Sequence, residues 1–177
     1  MTASGLVDEK LLAMRQAFDR SFAEAAAAEP PPQLDFLTIR ISGDPYALRL
    51  SEISSLHADR KLVAAPSLLP ELLGVSGFRS VLTPIYELGP LLGYAPEPAA
   101  RWLAVARSPL PIGFAFGGFD THLRVPLACV SASEPGANAA LRGAVQVGAS
   151  ALPLLHLPSL VEAIAQRIKA LGPSQER

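Results

Sequence analysis

Apolar residues recur at helical spacing near the start of the chain. Val7, Leu11, Met14, Phe18 and Ala25, with Phe22 one turn beyond Phe18, are separated by Asp8, Glu9, Lys10, Arg15, Asp19, Arg20 and Glu24. A 3.6-residue period gathers such positions on one stripe, so residues 1–28 read as an amphipathic N-terminal helix. Pro30, Pro31 and Pro32 stop it, because the first proline disfavours helical geometry at Glu29 and a proline run prefers an extended path. Residues 29–33 therefore read as a linker.

Beyond the linker the period drops to two. Leu37, Ile39 and Ile41 alternate with Phe36, Thr38 and Arg40; Ser42-Gly43-Asp44-Pro45 turns the chain, and Tyr46, Leu48 and Leu50 return it as a hairpin. Further short strands are expected over residues 55–64, 72–77, 80–86, 101–107, 112–116, 121–130, 141–147 and 151–155. Strands this short and numerous close into barrels or sandwiches, which hide their edges. Leu157, Leu160, Ile164, Ile168 and Leu171 then restore a helical stripe, with Pro158 in its first turn and Gly172-Pro173 ending it. Two stretches, about 34–93 and 101–157, close on similar strings, Leu82-Thr83-Pro84-Ile85-Tyr86-Glu87-Leu88 and Ala151-Leu152-Pro153-Leu154-Leu155-His156-Leu157. A duplicated small barrel explains them.

The composition narrows the function classes. The chain has 177 residues, 50% apolar and 18% charged, with a net charge of −1. Disorder requires low hydrophobicity with high net charge, and nucleic-acid binding a basic excess; neither is present. The lone Cys129 forbids an internal disulfide and is expected in a core strand, which suits the cytoplasm. No apolar run is long enough to insert in a membrane as a helix, and Met1–Lys10 lacks the order of a secretory signal.

Candidate chemistry is sparse. His57, His122 and His156 have no metal-ligand spacing, so no metal or cofactor is expected. Gly74-Val75-Ser76-Gly77 lacks the second glycine of a nucleophile elbow, since Phe78 stands two places after the serine. Gly113, Gly117 and Gly118 fit neither a dinucleotide fingerprint nor a P-loop. Asp35, Asp44, Asp59 and Asp120 fall at strand starts and turns. With no catalytic constellation, binding is the expected class, and the turn after Gly77, with Phe78 and Arg79 projecting outward, is its most conspicuous contact tip.

The segment holding that tip, Gly74-Val75, Gly77-Phe78-Arg79-Ser80, Pro84-Ile85-Tyr86-Glu87-Leu88 and Leu91-Leu92-Gly93, resembles the CheW-like family of bacterial chemotaxis adaptors. Phe36-Leu37-Thr38-Ile39, Tyr46-Ala47-Leu48-Arg49-Leu50, Ile53, Ile112-Gly113-Phe114-Ala115-Phe116 and Leu152–Leu157 extend the likeness over residues 34–172. It implies a mainly β fold of two SH3-like five-stranded barrels, here with an N-terminal helix and a C-terminal helix over 157–171. It implies a non-enzymatic adaptor at receptor arrays, with the regulatory domain of a histidine kinase and a chemoreceptor's cytoplasmic tip as partners. Arg79, Gly74 and Ile53 match contact positions, and Phe78 flanks them. The sequence departs from the family pattern at Gly77 for Asn, Phe78 for Leu, Ser80 for Gly and Gly117 for Asp. A serine in a left-handed turn costs on the order of 1 kcal/mol. Two other readings stay open: a divergent adaptor whose N-terminal helix, through Phe18 and Phe22, recruits another protein, and a β-barrel enzyme or ligand sensor using His122 or His156 beside a carboxylate in a pocket.

Overall fold

The computed structural model describes residues 12–19, 31–97, 100–132 and 140–171. Met1–Pro32 and Gln33–Arg177 form separate compact units. In the first, residues 12–19 are helical (α1), with Leu12, Met14 and Phe18 all exposed. The rest of the expected helix, including Val7, Leu11, Phe22 and Ala25, lies outside the described residues.

The second unit contains strands β1 (Gln33–Ile41), β2 (Asp44–Arg49), β3 (Ile53–Ala58), β4 (Leu72–Phe78), β5 (Val81–Glu87), β6 (Trp102–Ala106), β7 (Gly113–Phe116), β8 (Gly118–Pro126), β9 (Val130–Ser131), β10 (Leu141–Val147) and β11 (Ser150–Leu155), with helices α2 (Leu88–Leu91) and α3 (Leu157–Leu171). The β1–β2 hairpin forms where the alternation places it. Ile41 pairs with Asp44, and Ser42 and Gly43 take φ of 52° and 88°, the two left-handed residues of a turn whose twist matches the strands.

Two mixed sheets result, a six-stranded one in the order β8-β1-β2-β11-β10-β9 and a five-stranded one in the order β3-β6-β7-β5-β4. The expectation of two closed five-stranded barrels is corrected here: both sheets are open. In the smaller sheet the expected strand over 55–64 ends at Ala58, because Asp59 takes a φ of 51° and turns the chain. Its edges β3 and β4 then meet only through the segment after Asp59, where Val63 bridges Val75. In the larger sheet the expected strand over 121–130 breaks at Pro126, which enters a short 3-10 turn, Leu127–Cys129. Cys129 is half-buried in that turn, not in a core strand.

Each sheet takes strands from both sequence stretches. β2 pairs in parallel with β11, and β5 in parallel with β7. The similar strings do occupy matching places. Val75 pairs with Pro84 and bridges Val63 on its other side; Ala144 pairs with Pro153 and with Ser131. Gly74 and Gly143, one residue earlier in each, have φ of 146° and 120° and sit at a register shift.

Alternation sorts side chains between three cores. Ile85, Leu103, Val105 and Ala115 turn into the concavity of the smaller sheet, and Phe36, Ala47, Val145 and Leu154 into that of the larger. The intervening residues Leu37, Ile39, Leu48, Tyr86, Phe114 and Phe116 meet between the sheets, where Leu157, Leu160 and Ile164 of α3 cover them. Strands buried on both faces are near-continuous apolar runs for this reason.

Helix α3 is tied down at both ends. At its start Glu52 Oε2 accepts the Leu157 N–H at 2.9 Å, His156 Nδ1 accepts that of Ser159 at 3.2 Å, and Pro158 has none to satisfy. Burial pushes the Glu52 carboxyl above the usual range, although the Leu157 N–H and the charges of His156 and Arg49 pull it down. Farther along, Arg167 grips the buried Glu71 with both nitrogens, at 2.8 and 3.1 Å. Burial raises the Glu71 carboxyl, but Arg167 and its own backbone N–H outweigh this and hold it below the ordinary 4.5. The pair's stability is therefore complete above that value and is lost as pH falls through the depressed folded one. Arg167→Gln is expected to cost roughly 1–2 kcal/mol at neutral pH, because Glu71 keeps its burial and loses its partner. Acid unfolding followed by circular dichroism should then begin at higher pH than in the parent.

Candidate functional site

The contact tip is the β4–β5 turn. Phe78 pairs with Val81, leaving Arg79 and Ser80 as its two central residues with φ of 46° and 66°. The sequence pattern puts the left-handed residue at Gly77 and turns Phe78 outward, and both expectations are corrected. Gly77 is an ordinary strand residue. Phe78 follows the inward alternation of Gly74 and Ser76 and is only 7% exposed, packed in the smaller sheet's concavity. Arg79 is exposed as expected, and Ser80 beside it is exposed too. A serine at φ 66° retains the strain that the missing family glycine would relieve.

Beside them Val81 and Leu82 are 49% and 67% exposed. The pattern analysis missed these two, although it carries a signal: consecutive apolar residues in a period-2 strand cannot both face inward. Ile53 lies in the core at 4% exposure and offers only its carbonyl, which accepts Arg107 at 3.1 Å. Gly74 is also buried, and a Cβ there would strike the carbonyl oxygen of Val63. Arg79 thus reaches solvent, whereas Gly74, Ile53 and Phe78 support the strands beneath it. Phe18 stands exposed on α1 in the other unit, and Phe22 falls outside the described residues.

A groove of about 380 Å³ opens next to the tip. Phe78, Val81 and Val105 contribute its apolar surface, and Arg60, Arg79, Arg107 and His57 its charge-bearing rim. Arg60 stacks over the Phe78 ring at 5.3 Å, and the His57 ring lies 4.6 Å from it while bonding Ser55 Oγ at 2.9 Å. Burial first, then the charges of Arg60 and Arg79, hold the His57 pKa below that of an ordinary histidine. A second groove, about 370 Å³, lies between the β6–β7 connection and α3, bounded by Leu110, Leu157, Val161, Glu52 and Glu162.

The three histidines sit in different surroundings, His57 at the first groove and the other two beside carboxylates. His122 Nε2 meets Asp35 Oδ1 at 2.9 Å on an exposed cross-strand position outside both grooves. His156 caps α3, with Nδ1 also 2.8 Å from Ser159 Oγ and Nε2 3.8 Å from Glu52. The first groove holds a histidine without a carboxylate and the second carboxylates without a histidine. His156 stands 3.8 Å from the groove residue Glu52, beyond hydrogen-bond reach, and its other ring nitrogen is engaged by Ser159. Among the described residues no cluster of three His, Cys, Asp or Glu is placed to hold a metal, and no helix is long and apolar enough to cross a membrane.

The departure at Gly117 also has a structural counterpart. The Glu97 carboxylate, which accepts the Ser42 N–H at 3.1 Å, lies where a Cβ on Gly117 would be 2.7 Å from both oxygens. Gly117 thus leaves the space that the Glu97 carboxylate occupies.

In fold the chain is similar to the scaffolding protein TtCheW from Thermoanaerobacter tengcongensis, with a TM-score of 0.64 over 72% of this chain and 90% of that one. Identity is 10%, so the likeness establishes a CheW-like fold and no more. No protein-family model matches the sequence, and no curated protein matches it.

Gly74→Ala should lower stability by about 2 kcal/mol or more, since a Cβ at φ 146° meets backbone that cannot move aside. Gly77→Ala, whose Cβ meets nothing within 4 Å, should change it by less than about 0.5 kcal/mol. Paired urea titrations measure the difference.

Proposed function

We propose that this chain is a non-enzymatic adaptor of chemotaxis-type signalling, coupling the cytoplasmic tip of a chemoreceptor to the CheW-like regulatory domain of a histidine kinase. The observation that carries the reading is the likeness in fold to a scaffolding protein over nine-tenths of that protein's length. Among the described residues no histidine stands within hydrogen-bond reach of a carboxylate lining either groove, which supports binding over catalysis. In this reading the protein works in the cytoplasm at receptor arrays. Arg79 meets a partner together with Val81 and Leu82, and Gly74, Ile53 and Phe78 hold the tip in shape.

A second reading is favoured by Met14 and Phe18, one helical turn apart on α1 and 65% and 63% exposed. An apolar pair of this kind suits recruitment of a further protein.

Tagged protein incubated with a CheW-like kinase domain and a receptor tip from the same organism should retain at least one of them, and Arg79→Glu should weaken that retention about tenfold, or 1.4 kcal/mol. Retention of neither sinks the adaptor reading. Removal of residues 1–32 should leave cooperative melting intact. Loss of a third co-purifying protein on that removal supports recruitment, and an unchanged set of partners rejects it.

A further inference from the structure

We propose that the two grooves form one trough that takes an extended segment of a partner protein, with acidic residues at the Phe78 end and apolar residues at the Leu110 end. The inference rests on the adaptor reading and adds to it the chemistry of what docks.

The acidic half follows from charge. Arg60, Arg79 and Arg107 arrive from three distant stretches of the chain and rim the same groove, whose lining contains no Asp or Glu. Among the described residues none of the three guanidiniums is in an ion pair, although Arg40, Arg49, Arg101, Arg124 and Arg167 all have carboxylates within 4 Å. In a chain of net charge −1, such a cluster is a local feature and not a consequence of composition. Burial first, and then the charges of Arg60 and Arg79, lower the His57 pKa beside them.

Two of the cations are also held in place. Arg60 lies on the Phe78 ring and Arg107 donates to the Ile53 carbonyl, while Arg79 projects from a left-handed turn. Ordering them in advance lowers the entropy cost of receiving a carboxylate. Arginine forks suit bidentate carboxylates, and Phe78 and Val81 on the floor suit an apolar side chain next to the acid.

The extended form of the occupant follows from shape. Ala106, Arg107 and Ser108 border both grooves, so the two adjoin around the end of β6. A single small anion fills only the cationic half. Beyond Arg107 the surface is lined by Pro109, Leu110, Leu157 and Val161, with Leu110 47% exposed, and among the described residues its charges other than Arg107 are the carboxylates of Glu52 and Glu162. That end repels an acidic residue and accepts an apolar one. The trough thereby fixes the direction in which a segment lies, since the reversed orientation would place acids against Glu162.

A synthetic fluorescent peptide carrying glutamates at one end and leucines at the other tests this on the full chain. Binding read by anisotropy should weaken at least tenfold when the glutamates become glutamines, when Arg60→Glu and Arg79→Glu are combined, or when salt rises from about 50 to about 500 mM. Arg79→Lys, which keeps the charge and loses the fork, should weaken it less than Arg79→Glu. All three substitutions are at exposed positions, and a thermal melt confirms folding. In labelled protein the peptide should perturb the amides of Arg60, Arg79, Arg107 and Leu110 together.

Equal binding of the glutamine peptide, or perturbations confined to other surfaces, overturns the proposal. Inorganic phosphate saturating the cationic half while the peptide does not bind makes it a small-anion site and overturns it too. If the peptide fails but the kinase domain or receptor tip is retained, the trough proposal falls and the adaptor reading stands. If the peptide binds and neither partner does, the adaptor reading falls alone.

Discussion

The parallel pairings of β2 with β11 and of β5 with β7 are the contacts on which the rest of this fold depends. Neither sheet can be completed from one stretch of sequence. The first hairpin must find β8 and β11, and β3 to β5 must find β6 and β7. The exchange puts alternate residues of the same strands into different cores. Ile85 and Tyr86 are adjacent and nearly fully buried, yet one packs within a sheet and the other between sheets. At roughly 2–3 kcal/mol for each large side chain so buried, the shared core between the sheets gives the halves their strongest reason to stay together.

The groove inherits its composition from that exchange. Its walls come from β3, β4 and β5 of the first stretch and β6 of the second, which is how three arginines far apart in sequence reach one rim. The tip adds a strained turn. Arg79 and Ser80 occupy left-handed geometry that glycine would adopt freely, and the surrounding hairpin, anchored by Phe78, holds them there. The strain lies at the most exposed corner of the hairpin, beside the charge that the proposed partner meets, and nowhere in the core.

Much of this was legible in the sequence, and the reasons for the remainder are physical. The β1–β2 hairpin and α3 were readable because their signals are local: alternation, a Ser-Gly turn, a helical stripe with proline at its start. The similar strings suggest a duplicated small barrel, and what they share in the structure is the pairing around Pro84 and Pro153. Parallel pairing has no local signature, so closed barrels were expected where open, interleaved sheets exist. Leu62 and Val63 read as strand because they are apolar, but Asp59 had already turned the chain. Phe78 was read as exposed because Gly77 attracted the turn; the inward alternation from Gly74 through Ser76 contradicted it. The basic groove was invisible, since nothing in sequence joins Arg60, Arg79 and Arg107.

Interleaving also orders events during synthesis. The β1–β2 hairpin leaves the ribosome early, carrying Phe36, Ile39 and Ile41, all fully buried in the finished fold. Its parallel neighbour β11 emerges roughly a hundred residues later, on the order of ten seconds at ordinary elongation rates. For that interval the hairpin has an unpaired edge and uncovered apolar faces. The nascent chain is therefore exposed to edge-to-edge association until its last strand arrives, and early protection by a chaperone matters more for this topology than for one whose sheets close in sequence order.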